Sequence, residues 1–266
     1  QIFATQGASF GWGSWQSLSL LAIAVVFGVI FFRIESGNSN AFVNFGLFRN
    51  MTYTGATISN FMLNGVAGIL IVSMTLLQLG GDMDAQQTGL LTLGYAIAIV
   101  AFIRVGEKLL QRFGPRKPMI WGSLIVGVSI LLLMQSHMML GTYKILAVFA
   151  YTLFGLGLAF YATPSTDAAL SNLPSDQAGS GSGIYKMASS LGASFGVAIS
   201  AAIFTALSGD NSAVTWIEGV ISYVGRQDNL AVREAAFFAL GINLLMVVAA
   251  IVSIMVTVPK GNPHDK

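Results

Sequence analysis

Residues 232–258 read VREAAFFALGINLLMVVAAIVSIMVTV, with Arg233 and Glu234 at the start and no charge after them. A helix rises 1.5 Å per residue, so roughly 20 residues cross a hydrocarbon core of about 30 Å. This run is long enough to do so. It is apolar on every face, which suits a lipid surround better than a water-facing surface. Comparable runs lie at about 17–34, 51–79, 86–105, 118–137, 143–164 and 182–207, making seven in all. In lipid, every backbone N–H and C=O must be satisfied internally, which limits spanning segments to helices and closed barrels. These runs are continuous rather than alternating segments of roughly ten residues, so helices are expected.

Composition points the same way. Asp, Glu, Lys and Arg make up 9% of the chain and AVILMFWYC 55%, whereas a soluble domain carries about 25% charged residues. There is no cysteine, which excludes disulfides, thiolate nucleophiles and Cys-ligated metals. His137 and His264 lie far apart and have no ligand-spaced partners, so neither a metal nor a cofactor is expected. No basic run is interleaved with aromatics, so no nucleic-acid partner is expected. The runs embed no Ser/His/Asp set and the chain has no phosphate loop, which argues against an enzyme. A retinal Schiff base needs a Lys in the last helix, and 232–258 has none.

The charges give an orientation. The gaps after the first, third, fifth and seventh runs, with the run ends beside them, hold ten of the thirteen Lys and Arg, including Arg104, Arg112, Arg116 and Lys186. By the positive-inside rule that side is cytoplasmic. The N-terminus is then outside and the C-terminus inside. Asp84 and Gln87, in an external gap, read as a capping box opening the third run. Residues 7–15, GASFGWGSW, read as an interfacial turn, and 213–224 as a short interfacial element. The chain starts at Gln1 within such a turn, which suggests a piece of something longer. A polar segment at 35–40 sets the first run apart, and the other six divide three plus three, the count of inverted-repeat transporters.

Several segments resemble a known family. Leu47-Phe48-Arg49-Asn50 leads into a run as it does in the fourteen-span drug:proton antiporters of the major facilitator superfamily. The series Gly155, Gly157, Pro164, Pro174, Gly179, Ser182-Gly183, Leu191-Gly192 and Gly196-Val197-Ala198 follows their twelfth and thirteenth helices. The stretches 161–167, YATPSTD, and 183–192, GIYKMASSLG, look closest to the staphylococcal quinolone and multidrug exporters of that family.

The resemblance implies an all-α integral membrane protein. Residues 1–40 would be the last helix of a central linker hairpin with its external turn, a peripheral helix. Residues 41–266 would be the C-terminal six-helix domain, a 3+3 inverted repeat. The implied function is part of a proton-coupled multidrug efflux transporter working by alternating access. Its implied cargo is lipophilic or zwitterionic drugs such as quinolones, dyes and quaternary ammonium compounds; a facilitator-fold transporter of a lipid or metabolite is the alternative. Its partners would be protons, the lipid bilayer and a missing N-terminal half, in a bacterial cytoplasmic membrane.

The functional side chains should be polar groups inside the runs, since a charge at a helix centre costs about 2.5–3.5 kcal/mol on insertion scales. No Asp or Glu occupies the middle of any run, so no proton site is assigned; Asp167, Glu107 and Glu234 lie only at edges. Thr57, Asn60, Asn64, Gly68 and Thr75 fall near one helical face, and Tyr151, Phe154, Leu158 and Tyr161 form a second stripe. In the family fold these helices line a central cavity, flanked by Tyr95, Ser189 and Ser190. Asn60, Asn64, Tyr95, Tyr151, Phe154, Tyr161 and Ser189 are therefore the candidate substrate-binding set.

A degenerate copy of the family's loop motif ends in Gly114, Arg116 and Lys117, with Gln111 where an acid is expected. Arg104, Glu107, Lys108, Arg112 and Arg116 are candidates for pairings that switch between states. Asp167 and Lys186 are a candidate ion pair across the Pro174 loop. Gly192 and Gly196 read as a close helix-packing step. Pro164 reads as the end or a kink of its run.

Overall fold

A computed structural model describes residues 14–36, 45–208, 223–225 and 229–260. Among these residues seven helical segments follow in chain order: α1 (Trp15–Ser36), α2 (Met51–Gly80), α3 (Ala85–Phe113), α4 (Arg116–Leu133), α5 (Leu140–Leu170), α6 (Ala178–Ser208) and α7 (Leu230–Thr257). A 3₁₀ turn, Phe45–Arg49, leads into α2. Among the described residues there is no strand. Six helices, α2 to α7, are long and apolar enough to cross a membrane. The first expected span is helical, but its apolar segment, Trp15–Ile30, is shorter than those six. The expected turn at 7–15 lies outside the described residues except at its end, and so does the element at 213–224 apart from Tyr223 and Val224.

Local chemistry sets the helix ends. Asn50 caps α2, its Oδ1 accepting from the backbone N of Thr52 and Tyr53, each at 3.1 Å. The capping box at α3 is present: Gln87 N donates to Asp84 Oδ1 at 2.7 Å, and Asp84 N donates to Gln87 Oε1 at 3.3 Å. Gly114, at φ 71, turns the chain sharply between α3 and α4, a backbone state open to glycine. Pro164 does not end its helix. Instead α5 runs on to Leu170. A proline is tolerated in a membrane helix where neighbouring helices and hydroxyls satisfy the freed backbone groups. Within α2, a break in the helical pattern at Val66–Ala67 and a π turn at Leu76–Gly80 interrupt regular winding.

The packing carries an internal symmetry. α2 packs on α6 and α7, α5 packs on α3 and α4, and α4 meets α7. Exchanging α2 with α5, α3 with α6 and α4 with α7 maps this pattern onto itself, as a three-plus-three repeat requires. Small residues make the closest crossings. A Cβ on Gly192 or Gly196 would run into the backbone of Phe61 or Gly65 on α2, and one on Gly155 into the backbone of Tyr95 on α3. Without a hydrophobic drive between helices in lipid, such close backbone approach supplies the van der Waals contact that holds the bundle. Buried polar pairs add to it: Ser73 Oγ and Tyr151 OH lie 2.7 Å apart, and Asn243 Nδ2 donates to Ser200 Oγ at 2.8 Å.

Candidate functional site

Helices α2, α3, α5 and α6 enclose a cleft of about 250 Å³. Residues spaced three or four apart on each helix share a face, and this sets the lining. α2 contributes Asn60, Leu63 and Asn64, and α3 contributes Ile99 and Ile103. α5 contributes Leu158, Tyr161, Ala162 and Thr166, and α6 contributes Tyr185, Lys186 and Ser189.

Hydrogen bonds hold the polar wall in place. Asn60 Nδ2 donates to Ser189 Oγ at 2.9 Å and to the Tyr185 carbonyl at 3.1 Å. Asn64 Nδ2 donates to Asn60 Oδ1 at 2.9 Å and to Ser189 Oγ at 3.1 Å, and the Ser189 hydroxyl donates to Asn60 Oδ1 at 3.1 Å. Deeper, Tyr161 OH pairs with Ser59 Oγ at 2.7 Å, and Tyr185 OH donates to Ser165 Oγ at 2.7 Å. Among the described residues, the cleft therefore offers aromatic, aliphatic and amide surface with one cation and no lining acid. Such a surface takes a largely apolar molecule and orients it through a few polar contacts.

Of the substrate-binding candidates, the structure brings Asn60, Asn64, Tyr161 and Ser189 together on this cleft. Tyr95 and Phe154 stack at 5.2 Å one turn away, four residues before Ile99 and Leu158 respectively. Tyr151 is fully buried and bonded to Ser73, within the α2–α5 contact rather than on the cleft. Ile99, Ile103, Thr166 and Tyr185 also line it and were not singled out in the sequence; the four-residue step from Tyr95 to Ile99 and Ile103 was the available signal.

The charged candidates are arranged differently from the sequence expectation. Arg104, Glu107 and Arg112 are exposed, and among the described residues Glu107, the one acid of the set, forms no ion pair with Arg104, Lys108, Arg112 or Arg116. Arg112 and Lys117 instead approach the Phe113 ring, at 5.1 and 5.5 Å from its centroid. Arg116 Nη2 donates to the Met255 carbonyl at 2.7 Å, tying α4 to the end of α7. Asp167 and Lys186 do not pair with each other: Lys186 stands exposed on the cleft, on the face it shares with Ser189.

At the opposite end of the bundle Arg233 forms a clamp beside a cavity of about 190 Å³ that it helps to line. Arg233 is 5% exposed. Its Nε donates to the Ser136 carbonyl at 2.7 Å, and its Nη2 to the carbonyls of Met138 at 3.1 Å and Val224 at 2.9 Å. Ser136 Oγ returns a bond to the Arg233 carbonyl at 2.9 Å, and Asn229 Nδ2 donates to the Gly80 carbonyl. Beside this clamp burial pushes the Tyr223 hydroxyl above its usual pKa, and the charge of Glu234 adds to the shift. Among the described residues no group of His, Asp and Glu is placed to hold a metal.

Six membrane-length helices related three to three, with a polar cleft among four of them, define a membrane transport domain. Residues 53–262 match the Major Facilitator Superfamily, and the chain belongs to that family. It is 40% identical over 261 residues to the quinolone resistance protein NorB of Staphylococcus aureus strain MRSA252, and equally so to that of strain COL. The match covers 98% of this chain and 52% of each relative, so the chain spans about half the length of these curated relatives.

Proposed function

We propose that the chain is the C-terminal part of a multidrug exporter that moves lipophilic or zwitterionic drugs, quinolones among them, out of the cell by alternating access. The observation that carries this reading is the cleft built by Asn60, Asn64, Tyr161 and Ser189, on helices whose sequence follows relatives named for quinolone resistance. A second half, facing the cleft, completes the cavity. Residues 1–40 serve as a peripheral linker helix with its turn, and 41–266 as the transport domain. The basic loops face the cytoplasm, with the first residues of the chain outside. Proton antiport supplies the driving force, and its carboxylates lie partly in the other half; among the described residues that line the cleft there is no acid.

The test is drug uptake into everted membrane vesicles. The chain is expressed alone and together with a matching N-terminal half. Uptake of a fluoroquinolone or of ethidium that needs both halves and collapses with the pH gradient supports the reading. A well-assembled pair that moves no drug contradicts it.

A further inference from the structure

Among the described residues, all but one of the polar side chains that line the cleft are already engaged. Asn60, Asn64 and Ser189 bond one another. Thr166 Oγ1 donates to the Ala162 carbonyl at 3.0 Å, while Tyr161 and Tyr185 bond to Ser59 and Ser165. The exception is Lys186, exposed on the cleft with no hydrogen bond or ion pair to any described residue. Asn60 and Asn64 present amides there, so the ammonium charge is unanswered by its own wall.

Lys186 also lies within its helix, toward the proposed cytoplasmic end, rather than in the loop before it. It lies eight residues past Ala178, where α6 begins, about 12 Å along the axis at 1.5 Å per residue. A cation within a membrane helix faces a bundle interior or a water-filled cavity and is kept there for function. A lysine buries a four-carbon stem on apolar surface while its ammonium stays solvated, which suits a position on this wall. A point charge with three rotatable donors accepts a carboxylate from several directions, which suits cargo of varied shape.

We infer that Lys186 is a specificity residue that reads an anionic group, a carboxylate, on the exported molecule, so that the cleft favours carboxylate-bearing zwitterions over purely cationic dyes. The apolar lining from Ile99, Ile103 and Leu158 takes the aromatic body, and Lys186 fixes the charged end. This inference rests on the efflux reading above and adds the chemical class that the same cleft selects.

The experiment uses the assembled transporter in everted vesicles, as wild type, Lys186→Gln and Lys186→Arg. Three probes are compared: a fluoroquinolone with a free carboxylate, its methyl ester, and ethidium. A charged hydrogen bond lost from the site should raise the half-saturating concentration of the free acid about tenfold in Lys186→Gln, with ester and ethidium within about twofold of wild type. Lys186→Arg, which keeps the charge, should recover most of the loss. An equal fall for all three probes would overturn the inference, assigning Lys186 to an ion pair with the other half or to folding. Unchanged handling of the free acid would overturn it as well, while leaving the efflux reading intact. A wild-type transporter that moves none of the three defeats the efflux reading itself, and the inference with it.

Discussion

The Asn60 side-chain amide on α2 lies 2.9 Å from the Ser189 hydroxyl on α6, and Asn64, one turn along, donates to the same hydroxyl at 3.1 Å. Two helices distant in sequence thus share one polar knot at the wall of the cleft. Interhelical hydrogen bonds in membranes average about 0.6 kcal/mol and reach about 1.7. Asn64→Leu should therefore leave assembly intact while removing an amide from the lining. Normal expression with reduced efflux of at least one substrate is expected. Unchanged efflux of every substrate at normal expression would reassign Asn64 to helix adhesion.

Gly196 sits where a Cβ would enter the Gly65 backbone, whereas a Cβ on Gly183 meets nothing within 4 Å. Overpacking a close contact costs about 1–3 kcal/mol or more. Gly196→Val should lower the melting temperature of the purified protein and its yield, while Gly183→Ala on the same helix should melt as wild type. Comparable melting of the two variants would mean that α2 and α6 are not in this contact.

Arg233 reaches three carbonyls, on residues 136, 138 and 224, and only a planar fork spans them together. Hydrogen bonds to charged groups contribute roughly 1.5–3 kcal/mol each. Arg233→Ala should be strongly destabilising in thermal melts, and Arg233→Lys should rescue little. Full rescue by Lys would show that charge alone matters at this end of the bundle.

Tyr151 was expected on the cavity wall, and the structure buries it against Ser73 instead. Tyr151→Phe should cost about 1 kcal/mol of stability and leave the order of preference among drugs unchanged. A changed substrate profile in efflux assays would place the Tyr151 hydroxyl back in the transport path.

These outcomes mark what the residues alone reveal. The six long helices are legible because lipid forces uninterrupted apolar runs, and 232–258 needs no partner to be read. The pairing of Asp84 with Gln87 is legible because capping is local. Asn60, Asn64 and Ser189 stand out because an amide or hydroxyl inside such a run needs a reason. Tyr151 misleads because Leu158, Tyr161 and Tyr151 lie near one stripe of α5, and periodicity does not tell which part of a stripe another helix covers. Of the two readings of Pro164, an end or a kink, the structure removes the end, because neighbouring helices and hydroxyls can satisfy the backbone group that a proline frees inside a membrane helix. The separation of Lys186 from Asp167 depends on the rotation of α6 about its axis, which no local pattern encodes.

The chain has no cysteine, so a single introduced thiol can be labelled without background, and this gives the most direct test of the cleft as the drug-binding surface. Asn64→Cys and, at the opposite end, Met139→Cys would be reacted with a maleimide in membranes containing the assembled transporter, with and without a saturating fluoroquinolone. The account predicts that the drug slows labelling at position 64 and leaves position 139, which is 62% exposed, unaffected. Labelling at position 64 that proceeds at the same rate with drug bound would contradict it.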